Sequence, residues 1–247
     1  MKTILITGAT AGFGRAAARK FVSEGWSVIG TGRRADRLRK LQEELGDAFL
    51  PLEIDMRDFA ALDGLARLSP PWGDIDLLLN NAGLAPPTDP LPDTDWERIE
   101  AVIDTNVTGL VALTRALLPK IVERKGQIIN LSSVAATYPY KGGAVYAGTK
   151  AFVRQFSLDL RSDLAGTGVR VTSVEPGMAE TEFTIVRTGG DKEASEKLYR
   201  GMDPMTSEDL ADLFWWLANL PPHLNVNTIE LMPVSQSFAG FTVSREG

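Results

Sequence analysis

Seven short apolar runs, separated by stretches of helical periodicity, constrain this chain more than any other feature. They are Thr3–Thr7, Ser27–Thr31, Ala48–Ile54, Ile75–Leu79, Gly126–Leu131, Val169–Val174 and Thr228–Leu231. Each is short, apolar and often β-branched, as strands covered on both faces are. Between them, Ile99, Ile103 and Val107, and again Phe152, Phe156 and Leu160, recur every fourth residue and mark helix faces. Strand and helix alternate from end to end, which predicts an α/β fold with a doubly wound parallel sheet of seven strands. No linker divides the chain, so one domain over 1–247 is expected. The break in regularity is Glu180–Pro204, polar and glycine-containing. It reads as a long loop acting as a mobile flap over a site.

Composition narrows the function classes. The formal net charge is −6 and no long basic run occurs, which disfavours nucleic acid as a partner. No apolar run reads as a membrane span. The opening MKTILITGAT reads as a strand rather than a signal peptide, so a cytoplasmic location is expected. The chain has no cysteine, which removes disulfides, thiolate nucleophiles and cysteine-ligated metals. Its one histidine, His223, lies in LPPHLN without a nucleophile elbow, so a Ser–His–Asp hydrolase is disfavoured. No metal site is predicted.

The first strand runs into TGATAGFG, Thr7 to Gly14, and a helical pattern follows. Glycines at 8, 12 and 14 allow a tight turn and close approach of backbone to a phosphate, and the helix N-terminus adds free N–H groups. The second strand ends in TGRR. An NAD site usually places an acid there, but this chain has Gly32 followed by Arg33 and Arg34. Guanidinium groups suit a 2′-phosphate, so NADP is predicted over NAD. Asp36 is near enough to pair with one of the two arginines.

VYAGTK, Val145 to Lys150, places Tyr146 and Lys150 four residues apart, on one face of a helix. With TGATAGFG, NNAG at 80–83, Asn106 in DTNVTG, the serines of NLSS and EPG at 175–177, the chain resembles the short-chain dehydrogenase/reductase family over nearly its whole length. The resemblance implies a Rossmann-type sheet with strand order 3-2-1-4-5-6-7. It implies Tyr146 as the acid/base on the substrate oxygen, with the Lys150 ammonium favouring the phenolate and holding the nicotinamide ribose. It selects Ser133, thirteen residues before the tyrosine, over Ser132 to stabilise the substrate oxygen. Asn106 would complete a proton relay through water. Gly8, Ala9, Thr10, Gly12, Phe13 and Gly14 would cradle the phosphates. Asp55 and Met56 would flank the adenine, and Asn81, Ala82 and Gly83 would contact the adenosine side. Pro176, Gly177 and Thr181 would line the nicotinamide and pyrophosphate.

Longer segments, YPYKGGAVYAGTKAFVRQFSLDLRSDL, VEPGMAETEF and NTIELMPVSQSFAG, resemble bacterial NADP-dependent 3-hydroxy acid dehydrogenases. This implies substrates such as serine, L-allo-threonine and 3-hydroxyisobutyrate, or semialdehydes such as malonic semialdehyde. NLSSVAA and Lys141 depart from that group's pattern. A hydroxy acid needs a cation for its carboxylate. Arg187 in the flap is the first candidate and Lys141 the second. The C-terminal PVSQSFAGFTVSREG, with Phe238 and Phe241, is expected to dock in a homotetramer, again by resemblance. The rival readings are a reductase of 3-oxoacyl thioesters or other ketones, and a non-catalytic NADP-binding regulator. The full set of Asn106, Ser133, Tyr146 and Lys150 argues against the regulator. A methyltransferase shares the glycine-rich turn, but Arg33 and Arg34 do not suit its unphosphorylated ribose.

Overall fold

The structure is a computed structural model describing residues 1–238 except residue 189, and it leaves out the side chains of Val186 and Lys192. Its seven strands are β1 (Thr3–Thr7), β2 (Ser27–Gly32), β3 (Phe49–Glu53), β4 (Leu77–Asn80), β5 (Gln127–Leu131), β6 (Arg170–Pro176) and β7 (Thr228–Leu231). They form one parallel sheet in the order 3-2-1-4-5-6-7. Successive residues of one strand serve opposite layers. Ile4 and Ile6 join one apolar cluster with Val28, Leu77 and Phe214, whereas Leu5 joins the other with Ile29, Leu78 and Leu113. That two-sided burial explains the near-continuous apolar runs of the sequence.

Helices cover both faces. The first layer holds α1 (Gly12–Ser23), α2 (Ala35–Leu45) and the late helix α9 (Ser207–Ala218). Here Phe21 packs edge-on against Trp26 and Trp215, at centroid distances of 5.2 and 5.3 Å. The second layer is built on α3 (Phe59–Gly64), α4 (Trp96–Ile103), α5 (Gly109–Glu123) and α6 (Ala144–Asp163). β4 starts two residues later than the sequence predicts. The reason is Asp76, whose carboxylate accepts from the Thr3 N–H at 2.9 Å and pairs with Arg124 at 2.7 Å.

Helices α4 and α5 are one continuous run, joined through a wide π turn at Asp104–Thr108. Its most apolar 18-residue window has a mean hydropathy of 1.3, so by length and composition it could cross a membrane. The sequence reading passed over that run. In the fold Leu113, Leu117 and Ile121 of this run are fully buried in the second core cluster. The predicted helix face is also corrected. Ile99 and Val102, three residues apart, are buried, while Ile103, the last residue of α4 before the π turn, is 40% exposed. On α6 the predicted stripe is again offset. Phe152 is exposed and stacks on Phe156, whereas the buried face carries Tyr146, Thr149, Lys150, Val153, Ser157 and Leu160. Polar site residues occupy the core-facing stripe, which hides it from a hydrophobicity count.

The segment Glu180–Pro204 is not the irregular loop the sequence suggests. It folds as α7 (Glu182–Arg187) and α8 (Lys192–Tyr199). Asp191 caps α8 by accepting from the Ala194 N–H at 3.0 Å. A lone parallel bridge between Ala179 and Met205 closes the base of the segment. Phe238 is exposed, with its ring 4.8 Å from that of Tyr138. Phe241 lies outside the described residues.

Candidate active site

One cleft of about 1110 Å³ runs along the C-terminal ends of the strands, where ligands gather in open α/β sheets. Its nucleotide-side wall begins at the turn after β1. Gly8 and Gly12 have φ of +72° and +50°, the left-handed region that glycine enters freely. Gly14 is glycine for another reason, because a Cβ there would lie 2.4 Å from the Gly8 carbonyl oxygen. Helix α1 starts from Ala11 with no side-chain cap and no acid in its first turn, so its leading N–H groups are open to an anion. Gly8, Thr10, Gly12 and Phe13 line the cleft. Ala9 and Gly14 do not. Ala9 is buried in the core and its N–H bonds the Thr31 carbonyl at 2.9 Å, so its predicted place on the cofactor wall is corrected to a supporting one.

The end of β4 braces this turn. Thr7 Oγ1 accepts from the N–H groups of Asn81 and Ala82 at 3.0 and 2.9 Å, and Asn81 Nδ2 donates to the Thr7 carbonyl at 2.7 Å. Asn80 points into the protein, bonding Thr114 Oγ1 and Asn130 Oδ1 at 3.0 and 2.8 Å. Thus NNAG supplies one structural amide, Asn80, and three residues that line the cleft, Asn81, Ala82 and Gly83. Asp55 and Met56 line it too. The Arg57 hydrogen bond at 2.9 Å holds the Asp55 carboxyl below the usual range against the opposing effect of burial, and Arg33 approaches Asp55 at 3.9 Å.

Arg33 and Arg34 both line the cleft, but not with the partner foreseen. Asp36 is not the counter-ion. Glu182, from the start of α7, accepts from Arg34 at 3.1 Å and from Arg37 at 2.6 Å, and Arg34 also donates to Thr10 Oγ1 at 2.9 Å. Burial raises the Glu182 pKa, and the two arginines more than reverse that, so its carboxyl lies below the ordinary value. Arg37 could have been found as the residue one turn beyond Arg34. Glu182, 148 positions away, left no sequence signal.

The deep end of the cleft holds Ser133, Tyr146 and Lys150. Ser132 is used structurally, donating to the Lys150 carbonyl at 2.8 Å. Ser133 donates to the Pro176 carbonyl at 3.3 Å and couples to the Tyr146 phenol. Burial pushes Tyr146 up to about 12, with the Ser133 hydrogen bond and the Arg187 charge pulling the other way. Burial pushes Lys150 down to about 8. Lys150 Nζ donates to the Leu131 carbonyl at 2.7 Å and stands 5.7 Å from the Tyr146 ring centroid. The cation that lowers the Tyr146 pKa here is Arg187.

Asn106 sits in the π turn, fully buried. Its Oδ1 accepts from the Leu84 N–H at 2.8 Å, and its Nδ2 donates to the Leu84 carbonyl at 2.8 Å and Thr149 Oγ1 at 3.0 Å. Both amide hydrogens are committed, so a water relay would draw on its remaining lone pair. Gly83 keeps this corner open, since a Cβ there would lie 3.4 Å from Lys150 Nζ.

Pro176, Gly177 and Thr181 line the cleft, Thr181 immediately before the start of α7. The Arg187 guanidinium lies between two rings, 5.3 Å from Tyr140 and 5.5 Å from Tyr146, and donates to Tyr140 Oη at 2.8 Å. Its Nε is buried with no partner among the described residues. Lys141 is exposed and does not line the cleft, so its candidacy is withdrawn. Two aromatic neighbours went unpredicted: Tyr140, and Phe183 at 5.8 Å from the Tyr146 ring.

The residues present fit a phosphorylated dinucleotide: an uncapped helix start, a glycine turn that a Cβ would fill, and two arginines beside the second strand. Comparison with known proteins agrees. The chain is 60% identical to a serine 3-dehydrogenase of Agrobacterium fabrum over 245 residues, covering 99% of this chain and 98% of that one. It is 51% identical to the NADP-dependent 3-hydroxy acid dehydrogenase YdfG of Escherichia coli K12, covering 98% and 99%. The structure of a closed serine dehydrogenase complexed with NADP+ superposes with a TM-score of 0.96 at 51% identity, covering 99% of this chain and 100% of that one. The family described as short chain dehydrogenase matches residues 2–190. The chain belongs to the short chain dehydrogenase family, as an oxidoreductase with the family's sheet.

Proposed function

We propose that this protein oxidises small 3-hydroxy acids with NADP+, with L-serine, L-allo-threonine and 3-hydroxyisobutyrate as substrates, and reduces the matching semialdehydes, malonic semialdehyde among them. The observation that carries this reading is Arg187. A guanidinium with an unpartnered Nε, held over the Tyr146 ring, suits a carboxylate brought to within reach of the phenol. A neutral ketone or thioester makes no use of that charge.

The bound NADP+ would supply the hydride acceptor. Tyr146 takes the hydroxyl proton of the substrate, and Ser133 holds the substrate oxygen as charge develops on it. Lys150 holds the ribose hydroxyls, and Asn106 orders the water that returns the proton to solvent. Gly8, Thr10, Gly12 and Phe13 would seat the pyrophosphate, and Arg33 and Arg34 the 2′-phosphate. The segment Glu180–Pro204 acts as a substrate flap on a single nucleotide-binding domain. We further propose a cytoplasmic homotetramer, to be checked by sedimentation of the purified protein.

NADPH formation with a panel of 3-hydroxy acids tests the function. Turnover of L-serine and its analogues, with a higher kcat/KM for NADP+ than for NAD+, is the expected result. Silence across the acids with turnover of ketones or 3-oxoacyl thioesters would replace the substrate class. Equal use of NAD+ would remove the role given to Arg33 and Arg34.

A further inference from the structure

Helix α7 reaches two different parts of the cleft. Its first residue, Glu182, is gripped by Arg34 and Arg37 beside the nucleotide-side turn, with contacts of 3.1 and 2.6 Å. Its last residue, Arg187, lies over the catalytic tyrosine. Five residue steps of helix separate them, about 7.5 Å along the axis, so the two ends move as one short rod. The rest of the flap holds that rod by side chains. Tyr199 Oη donates to the Ala179 carbonyl at 2.8 Å and shares a hydrogen bond with Thr184. Nothing in the sheet requires Glu182 to sit where it does.

We infer that Glu182 is a positioning residue: its ion pairs with Arg34 and Arg37 clasp α7 against the nucleotide-side wall and thereby set the Arg187 guanidinium over Tyr146. The inference rests on the proposed function for the ligands at the two ends of the rod. The clasp carries an electrostatic cost. Glu182 places a negative charge on Arg34, one of the two arginines that face the 2′-phosphate, so it competes with that phosphate while it aligns the substrate cation. One residue therefore moves the two affinities in opposite directions.

Glu182→Gln tests this, with Arg37→Gln as a second variant. The clasp is partly exposed, so the effect expected is moderate: KM for L-serine rises by about three- to ten-fold, with kcat within about two-fold. In the same Glu182→Gln protein, the Kd for NADP+ measured by calorimetry falls, and amide exchange across 182–187 becomes faster. Arg37→Gln raises KM without tightening NADP+, and the double variant is no worse than the larger single effect. Unchanged KM and unchanged exchange would overturn the inference. A matched worsening of KM and of NADP+ affinity would also overturn it, since that is what a general structural prop would give. If the wild-type protein turns over no hydroxy acid, the proposed function fails. Faster exchange with tighter NADP+ in Glu182→Gln would then still uphold the clasp.

Discussion

The turn after β1 and the flap segment Glu180–Pro204 face each other across one cleft but are held in opposite ways. The turn is fixed by backbone. Gly8 and Gly12 take left-handed φ, Gly14 abuts the Gly8 carbonyl, and Thr7 and Asn81 tie it to β4 through hydrogen bonds to main-chain groups. The flap is fixed by side chains, through Glu182 to two arginines, Arg187 to Tyr140, and Tyr199 to Ala179. Backbone geometry tolerates few residues and reads out a ligand common to many substrates. Side-chain tethers can be exchanged one at a time without rebuilding the sheet. The nucleotide-side wall belongs to the first kind and, on the proposed function, substrate selection would belong to the second.

Five measurements probe that contrast. Tyr146→Phe stands outside both regions and sets the reference. It removes the acid/base, so kcat falls by about three orders of magnitude, while the Kd for NADP+ by calorimetry stays within about two-fold. Near-normal turnover would take the phenol out of the chemistry. Arg187→Gln acts on the flap alone. Loss of a charge-assisted contact raises KM for L-serine by about ten- to a hundred-fold, with NADP+ affinity unchanged in titration. A parallel loss of NADP+ affinity would show the two regions are not separable.

Gly14→Ala acts on the turn alone. Its Cβ would meet the Gly8 oxygen at 2.4 Å and Asn81 Nδ2 at 2.6 Å, contacts that only a backbone shift relieves. Overpacking of this kind costs about 1–3 kcal/mol, visible as a lower Tm. NADP+ binding weakens about ten-fold, within the same range. KM for the acid, at saturating cofactor, stays close to wild type. The smallest effects lie in pH dependence. Burial raises the Tyr146 pKa to about 12 and Arg187 opposes it, so in Arg187→Gln the alkaline limb of oxidation moves to higher pH. Lys150 titrates at about 8 in the folded chain against an ordinary 10.5. Between those values the unfolded chain binds the extra proton, so this group makes cofactor-free stability rise with pH from 8 to 10.5 and be lost as pH falls through 8. Urea midpoints should rise over that window in the wild type by more than in Lys150→Met.

The sheet was legible because its inner strands are buried on both faces, which writes them into the sequence as apolar runs. Strand order came from the family resemblance, and the expected roles of Ser133, Tyr146 and Lys150 from motifs just after β5 and in the first turns of α6. What escaped was set by phase and by distance. The core face of α4 follows Ile99 and Val102, so Ile103, four residues after Ile99, came out exposed. The core-facing stripe of α6 is polar at Thr149, Lys150 and Ser157, so the aromatic positions drew the eye to the wrong face. The helices of the flap are short and rich in charge, and their amphipathic signal is weak over so few residues. Glu182 was invisible because its partners lie at the other end of the chain.

The π turn at Asp104–Thr108 also bears on how such a chain can change length over generations. Removing one residue there would let the wide turn close to an ordinary α turn, because five residues in π geometry and four in α geometry both carry the chain a little past one full turn. Leu113 and Leu117 would keep their face to the sheet, and the loss would fall on Asn106 and its bonds to Leu84 and Thr149. A single-codon deletion elsewhere between Trp96 and Glu123 would instead turn everything beyond it by about 100°. The one stretch of the long helix whose geometry can absorb such a copying error is therefore the one that holds a buried site residue.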